Sequence, residues 1–418
     1  GDITGTVKIW DIAGCQVKTA LFGNWLGSGS YRPDNQGFAM FSGEDFNTCF
    51  YELATGAISE LTNHKYGMID MTYNHDGTQF ACLNRGDGYR HVSFWDKNKP
   101  EIQSDSVHMY LESMVYNKTN NTIITGGTNE NLYIWNFDTG GITDTIYSSG
   151  WADDIAISPD GKNVVTTWNS YFSLFDIQKK KQIHQYDYPN NSACIAYSND
   201  GNRIAIGDEF DTFTVDVFDL TTEKYLDRLT GHTSTVTNVL FTNDDKYVVS
   251  ASKDKSIKFW DPARGEEVLT FIPMVGNNTD FVVFTPDGYY MSSRNGTNAI
   301  HFIKDNEVYL FDQFDLKHNR PDIILERMGY ASDELIKTYY KAYQKRLKKM
   351  NIEEEMLSSE WHIPEISIIN EQLSINNEQR FIELDIEAWD TKYKLDRINV
   401  WVNNVPIYGM NGINFLGI

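Results

Sequence analysis

The sequence of 418 residues is poor in cysteine, in proline and in positive charge. Its four cysteines form no C-x-x-C pair, which excludes a zinc framework and a dense disulfide scaffold and favours free thiols in a reducing, cytoplasmic compartment. The 36 lysines and arginines against 58 acidic residues give a net charge of −22, which argues against nucleic-acid and anionic-membrane partners. No apolar run approaches the roughly 20 residues of a membrane span.

The charge is unevenly placed along the chain. Residues 1–316 carry a net charge of −19, residues 317–349 carry +5 and residues 350–418 carry −8. The aromatic fraction of 14% excludes a disordered acidic chain. Because most of the negative charge lies in the first segment, a partner of that segment is expected to be basic.

One unit recurs through the first three hundred residues: a short β-branched run that ends in an aromatic residue followed by an acid or an amide. The aromatic residues of the seven units are Trp10, Tyr51, Trp95, Trp135, Phe175, Phe218 and Trp260. They lie 40 to 44 residues apart, which is the period of a four-stranded propeller blade.

A tight turn follows an apolar strand within most periods, as in YNHDG from Tyr73, ISPDG from Ile157 and FTPDG from Phe284. Asp and Gly tolerate the backbone angles that such turns need. The flanking runs alternate apolar and polar residues, which is typical of strands. The pattern predicts an all-β fold, and we interpret the turn aspartates as turn formers rather than as calcium ligands.

The pattern resembles the WD-repeat β-propeller family over residues 1–303. Its best unit is GHTSTVTNVLFTNDDKYVVSASKDKSIKFWD, residues 231–261. The resemblance implies a buried hydrogen-bonded set in this unit, which consists of His232, Ser250, Asp254 and Trp260. These residues could be mistaken for a catalytic triad, but a propeller blade needs the same residues to hold its turns.

Seven blades can be drawn, from residues 12–52 to residues 262–303, with the N-terminal strand left over. A closed ring leaves no exposed sheet edge, so we expect this strand to dock on the last blade and complete it. Eight blades, or the end of a longer array, is the alternative.

After the propeller, residues 304–359 are predicted to form a linker and an amphipathic helix. The helix is expected to begin at Ser332, which is a suitable N-cap. Its apolar stripe consists of Leu335, Tyr339, Tyr343 and Leu347, which are spaced four residues apart. Residues 360–418 return to alternating patterns and predict a small antiparallel β-sandwich, either incomplete or completed by a partner.

The stretch from about residue 305 to residue 410 resembles the linker of bacterial multidomain proteins in which a WD-repeat propeller precedes a caspase-like cysteine peptidase. The resemblance implies that the propeller is a sensor or scaffold for a peptidase domain in cis. That domain, with its His–Cys pair, is absent from these residues.

The sequence offers little catalytic chemistry. None of the cysteines has the context of a caspase-like nucleophile, and the nine histidines show no metal-ligand spacing. No phosphate-binding or dinucleotide-binding glycine motif occurs. We therefore predict no catalytic residue, no metal and no cofactor, and a function in recognition and regulation; a propeller-type hydrolase and a purely structural scaffold are the alternatives.

A binding surface is predicted from the repeat itself, because equivalent positions of the blades share one face. With the repeats aligned on the residue that ends each first strand, Trp25, Tyr110 and Trp151 lie six residues upstream of it. Four residues upstream lie the acids Glu112, Asp153 and Asp280. Aromatic residues and acids at one rim predict a protein or peptide partner that is basic. Packing of the aromatics between blades is the alternative.

Overall fold

In a computed structural model, the chain is described at residues 6–11, 16–21, 26–42, 47–61, 67–85, 90–96, 99–102, 106–107, 110–210, 212–274, 280–304, 307–310, 314–349, 353–357, 365–369, 385–391, 394–395, 397–402, 405–408 and 412–414. The chain divides into two compact units, residues 1–346 and residues 347–418.

The described residues of the first unit form six antiparallel blades. Blade one consists of β3 (Leu26–Tyr31), β4 (Gly37–Ser42), β5 (Asn47–Glu52) and β6 (Ile58–Leu61), and it follows a hairpin of β1 (Thr6–Asp11) and β2 (Gln16–Leu21). Blade two consists of β7 (Gly67–Tyr73), β8 (Gln79–Arg85), β9 (Arg90–Asp96) and β10 (Lys99–Ile102), and β11 (Ser106–Val107) also pairs with β9. Blade three consists of β12 (Leu111–Asn117), β13 (Thr122–Gly127), β14 (Asn131–Asn136) and β15 (Ile142–Tyr147).

The next three blades repeat this meander. Blade four consists of β16 (Asp154–Ile157), β17 (Asn163–Trp168), β18 (Tyr171–Asp176) and β19 (Lys181–Asp187). Blade five consists of β20 (Ser192–Tyr197), β21 (Arg203–Asp208), β22 (Val215–Asp219) and β23 (Lys224–Tyr225). Blade six consists of β24 (Val236–Phe241), β25 (Val248–Ser252), β26 (Ile257–Asp261) and β27 (Glu266–Pro273), and the same sheet continues into β28 (Phe281–Phe284) and β29 (Tyr290–Ser292).

The prediction of seven blades is wrong, because the described residues form six. The strands expected to begin a seventh blade instead extend the sixth: β28 pairs directly with β27, with Thr270 opposite Phe284. The N-terminal strand does not complete a last blade in the described part of the chain, since β1 pairs with β2 and its Val7 and Ile9 pack on blade one. Strands β30 (His301–Lys304) and β31 (Glu307–Leu310) form a separate two-stranded sheet.

The predicted turns account for the regular length of the blades. Gly77, Gly161 and Gly201 have φ values of 71°, 70° and 73°, which a residue with a Cβ rarely adopts. In each of these turns the preceding aspartate accepts a backbone N–H two residues ahead, as Asp160 does from Lys162 at 3.1 Å. The aspartates therefore work as local turn formers.

The hydrophobic core is divided into layers between neighbouring blades. One layer joins Phe41 of blade one, Phe80 and Phe94 of blade two, and Trp135 of blade three. A second layer joins blades three and four around Ile134 and Phe175. Each blade is thus held by its neighbours rather than by one central core.

A helical neck is not clearly confirmed, and the described residues contain few helices. These are α1 (Asp315–His318), α2 (Pro321–Met328) and α3 (Asp333–Lys349), besides 3₁₀ turns at Gly296–Ala299 and Glu354–Met356. Helix α2 packs on blade six, where Ile324 and Met328 join a buried cluster with Tyr247 and Phe259. The guanidinium of Arg327 also donates two hydrogen bonds, of 2.6 and 2.7 Å, to Asp287.

The second unit shows three two-stranded antiparallel sheets among its described residues. They pair β32 (Glu365–Ile368) with β33 (Ile386–Trp389), β34 (Arg397–Ile398) with β37 (Ile413–Asn414), and β35 (Trp401–Val402) with β36 (Val405–Pro406). Strands are thus present in the predicted region, whereas the described residues do not assemble them into a sandwich.

Candidate functional site

The first strands of blades two, three, five and six share a bulge near their starting end, and we call this end of the blades the rim. In β12, Leu111 pairs with Gly127 and Ser113 pairs with Gly126, so Glu112 has no partner of its own. The same interruption occurs at Ile69, at Ala193 and at Thr237. A bulge re-aims one side chain without moving the strand. It occupies the position, four residues before the strand end, that the repeat alignment selects.

Two buried carboxylates join the blades just beyond this bulge. Asp70 accepts hydrogen bonds from the Ser28 hydroxyl at 2.9 Å and from the Met114 N–H at 3.2 Å, and so links blades one, two and three. Asp154 accepts bonds from the Ser113 hydroxyl and the Ile195 N–H, both at 2.9 Å, and links blades three, four and five. Burial raises the pKa of Asp70 to about 6. The rim is therefore built on cross-blade bonds.

Two of the predicted rim aromatics are exposed. Tyr110 is 54% exposed and Trp151 is 42% exposed, so neither packs wholly between blades. The Arg90 guanidinium lies over the Tyr110 ring, with its carbon 5.6 Å from the ring centre. The third predicted aromatic, Trp25, lies outside the described residues.

The predicted acids Glu112 and Asp153 lie near one another at the rim. Glu112 accepts a hydrogen bond from Arg90 at 3.2 Å. Partial burial of the carboxylate raises the pKa of Asp153 to about 6, and the negative charges of Glu112 and Glu209 act in the same direction. No ion pair to Asp153 occurs among the described residues, so its carboxylate is available to an incoming cation.

Asp280 does not belong with the exposed acids. It is 6% exposed, and its carboxylate accepts hydrogen bonds from the Ser293 hydroxyl at 2.8 Å and from the Asn295 amide at 3.2 Å. These bonds tie the start of β28 to the turn after β29. Its side chain holds a loop and is not presented to a partner.

Sequence reasoning missed Glu209, Trp168 and Tyr171. Trp168 packs behind Trp151, with ring centres 5.4 Å apart, and Tyr171 meets Trp168 edge-on at 5.1 Å. All three missed residues flank turns between the second and third strands of blades four and five. An alignment of first strands alone cannot find them, whereas an alignment of those turns would have shown two aromatics beside one turn.

The four residues that the family pattern groups together lie in blade six. The His232 ring nitrogens lie 2.7 Å from Asp254 and 2.7 Å from Ser250, and the Trp260 indole donates to Ser250 at 2.8 Å. Burial lowers the pKa of His232. Burial also acts to raise the pKa of Asp254, but hydrogen bonds from Ser256, His232 and Thr233 outweigh it and bring that pKa to about 2.

Part of this network recurs in a second blade, as expected for a bond that holds the blade together. In blade three the Trp135 indole donates to the Thr125 hydroxyl at 2.9 Å, across the same spacing of ten residues as Trp260 and Ser250. Both indoles are buried. Such buried polar groups satisfy one another and fix the strand geometry.

The described residues contain no cluster of three or more His, Cys, Asp or Glu side chains that could hold a metal ion. Three cysteines, Cys49, Cys82 and Cys194, are buried free thiols. Burial raises the pKa of Cys194, which makes it a poor nucleophile. Over the same part of the chain, no helix combines the length and the apolar character needed to cross a bilayer.

Comparisons with known proteins point to the same architecture. Residues 223–261 match the WD40 family model, described as WD domain, G-beta repeat. The chain is similar to the WD repeat-containing protein sll1491 of Synechocystis sp., with 36% identity over 135 residues, 32% of this chain and 38% of that protein. It is also similar to the periodic tryptophan protein 2 homolog of Dictyostelium discoideum, with 27% identity over 293 residues, 66% of this chain and 30% of that protein.

A third relative is autophagy-related protein 16 of Arabidopsis thaliana, with 23% identity over 247 residues, 56% of this chain and 46% of that protein. The chain therefore spans less than half the length of each of these three relatives. The matched repeat, the WD-repeat relatives and the blades of the first unit support a WD40 β-propeller.

Proposed function

We propose that the chain is a non-catalytic recognition module that binds a basic segment of a protein partner on its aromatic–acidic face. This face consists of Tyr110, Glu112, Trp151, Asp153 and Glu209. WD40 propellers generally bind proteins, which supports the coarse role. The observation that carries the proposal is the exposure of Tyr110 and Trp151 beside carboxylates at one rim.

The physical argument combines area with charge. Exposed aromatic rings bury a large apolar area at a low entropic cost, which is typical of interaction hot spots. The carboxylates around Asp153 repel one another, and a cationic partner relieves that repulsion. The net charge of −22 adds long-range attraction for a basic partner and repels an acidic one.

The wider setting is part of the proposal. The buried free thiols are compatible with a reducing compartment such as the cytoplasm. Association with a caspase-like peptidase rests on the sequence of residues 305–410 alone, since none of the three relatives is named as a peptidase. A sensor or scaffold role for such a domain is therefore the finer proposal.

The face is tested with fluorescently labelled eight-residue peptides of arginine, of lysine and of glutamate, by anisotropy at low salt. We expect the basic peptides to bind and the acidic peptide not to bind. Joint replacement Tyr110→Ala and Trp151→Ala is expected to weaken binding by about tenfold to a hundredfold, as loss of hot-spot aromatics does.

The matched control is Tyr31→Ala. Tyr31 is 56% exposed but ends β3, at the opposite end of the blade from the rim. Its replacement should leave binding unchanged, and circular dichroism should show all variants folded. Equal weakening by both sets of changes, or no binding of any basic peptide, would overturn the proposal and favour a purely structural scaffold.

A further inference from the structure

Two neighbouring blades carry the same three-residue pattern at the rim, an aromatic residue, an aliphatic residue and an acid. It reads Tyr110-Leu111-Glu112 in blade three and Trp151-Ala152-Asp153 in blade four. Both patterns begin six residues before the residue that ends the first strand, which is Tyr116 in blade three and Ile157 in blade four. The two sites differ in what occupies them.

In blade three the pattern holds an arginine of the chain itself. The Arg90 guanidinium lies over the Tyr110 ring at 5.6 Å, donates to the Leu111 carbonyl at 3.0 Å and donates to the Glu112 carboxylate at 3.2 Å. Arg90 is 7% exposed. A planar guanidinium can stack on a ring and bond a carboxylate at the same time, which an ammonium does less well.

In blade four the described residues do not place an arginine at the equivalent position. Arg90 lies five residues before Trp95 in blade two, and the equivalent residue before Trp135 in blade three is Glu130. Glu130 and Asp153 both raise the pKa of Tyr171 through their negative charges, so both acids lie within electrostatic range of that side chain. The position that supplies Arg90 to the site of blade three therefore carries an acid, and not a cation, in the next repeat.

The aromatic part of the second site is held in place from behind. Trp168 backs Trp151 at 5.4 Å and an interplanar angle of 32°, and Tyr171 meets Trp168 edge-on. Gly150 leaves the room for this packing, since a Cβ there would lie 2.6 Å from Cε3 of Trp168. A pre-positioned ring loses little freedom when a ligand binds.

We propose that the Trp151–Asp153 site binds an arginine side chain of the partner protein, in the manner in which Tyr110 and Glu112 hold Arg90. The inference rests on the proposed recognition function and specifies its ligand. Stacking on Trp151 and paired hydrogen bonds to Asp153 would both contribute. The nearby acids Glu112 and Glu209 favour the positive charge.

The test compares eight-residue arginine and lysine peptides, which carry the same number of positive charges. The wild-type chain is expected to bind the arginine peptide about tenfold more tightly, because only the guanidinium stacks and bonds together. Trp151→Leu and Asp153→Asn should each reduce this ratio to near one. Equal binding of the two peptides would overturn the arginine inference while leaving basic-partner recognition intact.

A second variant tests the internal comparison directly. Glu130→Arg places an arginine at the position equivalent to Arg90, and it should fill the site and reduce binding of the arginine peptide about tenfold. Glu130→Gln is the control, since it removes the charge without supplying a guanidinium and should reduce binding far less. A direct readout is the pKa of Asp153, which should fall well below about 6 in Glu130→Arg. Unchanged binding and an unchanged Asp153 pKa in Glu130→Arg would contradict the site.

Discussion

At the scale of single residues, the buried network of blade six depends on one histidine that bonds at both ring nitrogens. His232 joins Asp254 to Ser250, and Ser250 in turn accepts the Trp260 indole N–H. Each member has its partner inside the protein, so loss of one leaves others buried and unsatisfied. His232 is therefore central to the set, since it hydrogen-bonds to two of the other three members and its ring meets that of Trp260 edge-on.

We expect His232→Ala to destabilise the protein by roughly 2 kcal/mol, the cost of leaving buried hydrogen-bonding groups without partners. Urea unfolding followed by tryptophan fluorescence measures the change. His301→Ala is the control, since His301 is exposed on β30. A shift no larger than that of the control would contradict a structural role for the network.

The loss of stability in His232→Ala should depend on pH. The pKa of His232 is lowered in the folded state, so the folded protein resists its protonation. Its contribution to stability is present above the ordinary pKa of about 6.5 and is lost as the pH falls below it. The stability difference between wild type and His232→Ala should therefore narrow between about pH 7.5 and about pH 5.

The location of a single residue can be predicted from the sequence when its position in the repeat is known. Tyr110, Trp151 and Asp153 are placed at the rim by counting back from the end of an inner strand, because a fixed spacing means a fixed position in a repeated blade. Asp280 has the same offset in its repeat as Asp153 and is nevertheless buried, because Ser293 and Asn295 bond to its carboxylate. Spacing gives the position of a residue, but its exposure depends on loops that do not repeat.

At the scale of elements, helix α2 and blade six are packed as one piece. Ile324 is fully buried against blade six, and the Tyr247 hydroxyl donates to the Arg327 carbonyl at 2.7 Å. The guanidinium of Arg327 holds the pKa of Asp287 down to about 2. Apolar burial and a bidentate ion pair thus fix the same eight-residue helix, which is too short to be stable alone.

We expect Ile324→Ala to destabilise the protein by about 2 to 4 kcal/mol, because it opens a cavity between α2 and blade six. Thermal unfolding and limited proteolysis around Gly329 measure the effect. Ile303→Ala serves as the matched control, since Ile303 is 72% exposed. Equal melting temperatures for the two variants would show that the contact contributes no stability.

The elements that the sequence predicted well are those with local signals. The turns follow from Asp-Gly pairs, and α3 follows from a four-residue spacing that ends in basic residues. The pairing of β28 with β27 has no such signal, because Phe281–Phe284 looks like any other inner strand. The pairing partner of β28 depends on the three-dimensional arrangement of the surrounding chain, and the repeat period does not predict that arrangement.

At the scale of the whole molecule, the charge opposes folding. With a net charge of −22, the repulsion between like charges increases when the chain becomes compact. Few basic residues are present to offset it, and several, such as Arg90 and Arg327, are already paired. Ionic screening should therefore stabilise the protein.

We expect the melting temperature to rise by a few degrees as sodium chloride increases from about 20 mM to about 200 mM, because the screening length shortens from tens of ångströms to below ten. Scanning fluorimetry measures the melting temperature at each salt concentration. Sucrose at matched osmolality is the control for general co-solvent effects. A constant or falling melting temperature would mean that paired charges, rather than net repulsion, dominate.

The bulge near the start of several first strands also separates variable positions from constrained ones. At Glu112 and Thr237 the side chain leaves the regular strand pairing, while Asp70 and Asp154 tie neighbouring blades together. Point substitutions at the bulges can then exchange one ligand preference for another without refolding the frame. Ligand preference can therefore diverge through single substitutions at the rim. The same arrangement allows the binding surface to be redesigned one blade at a time.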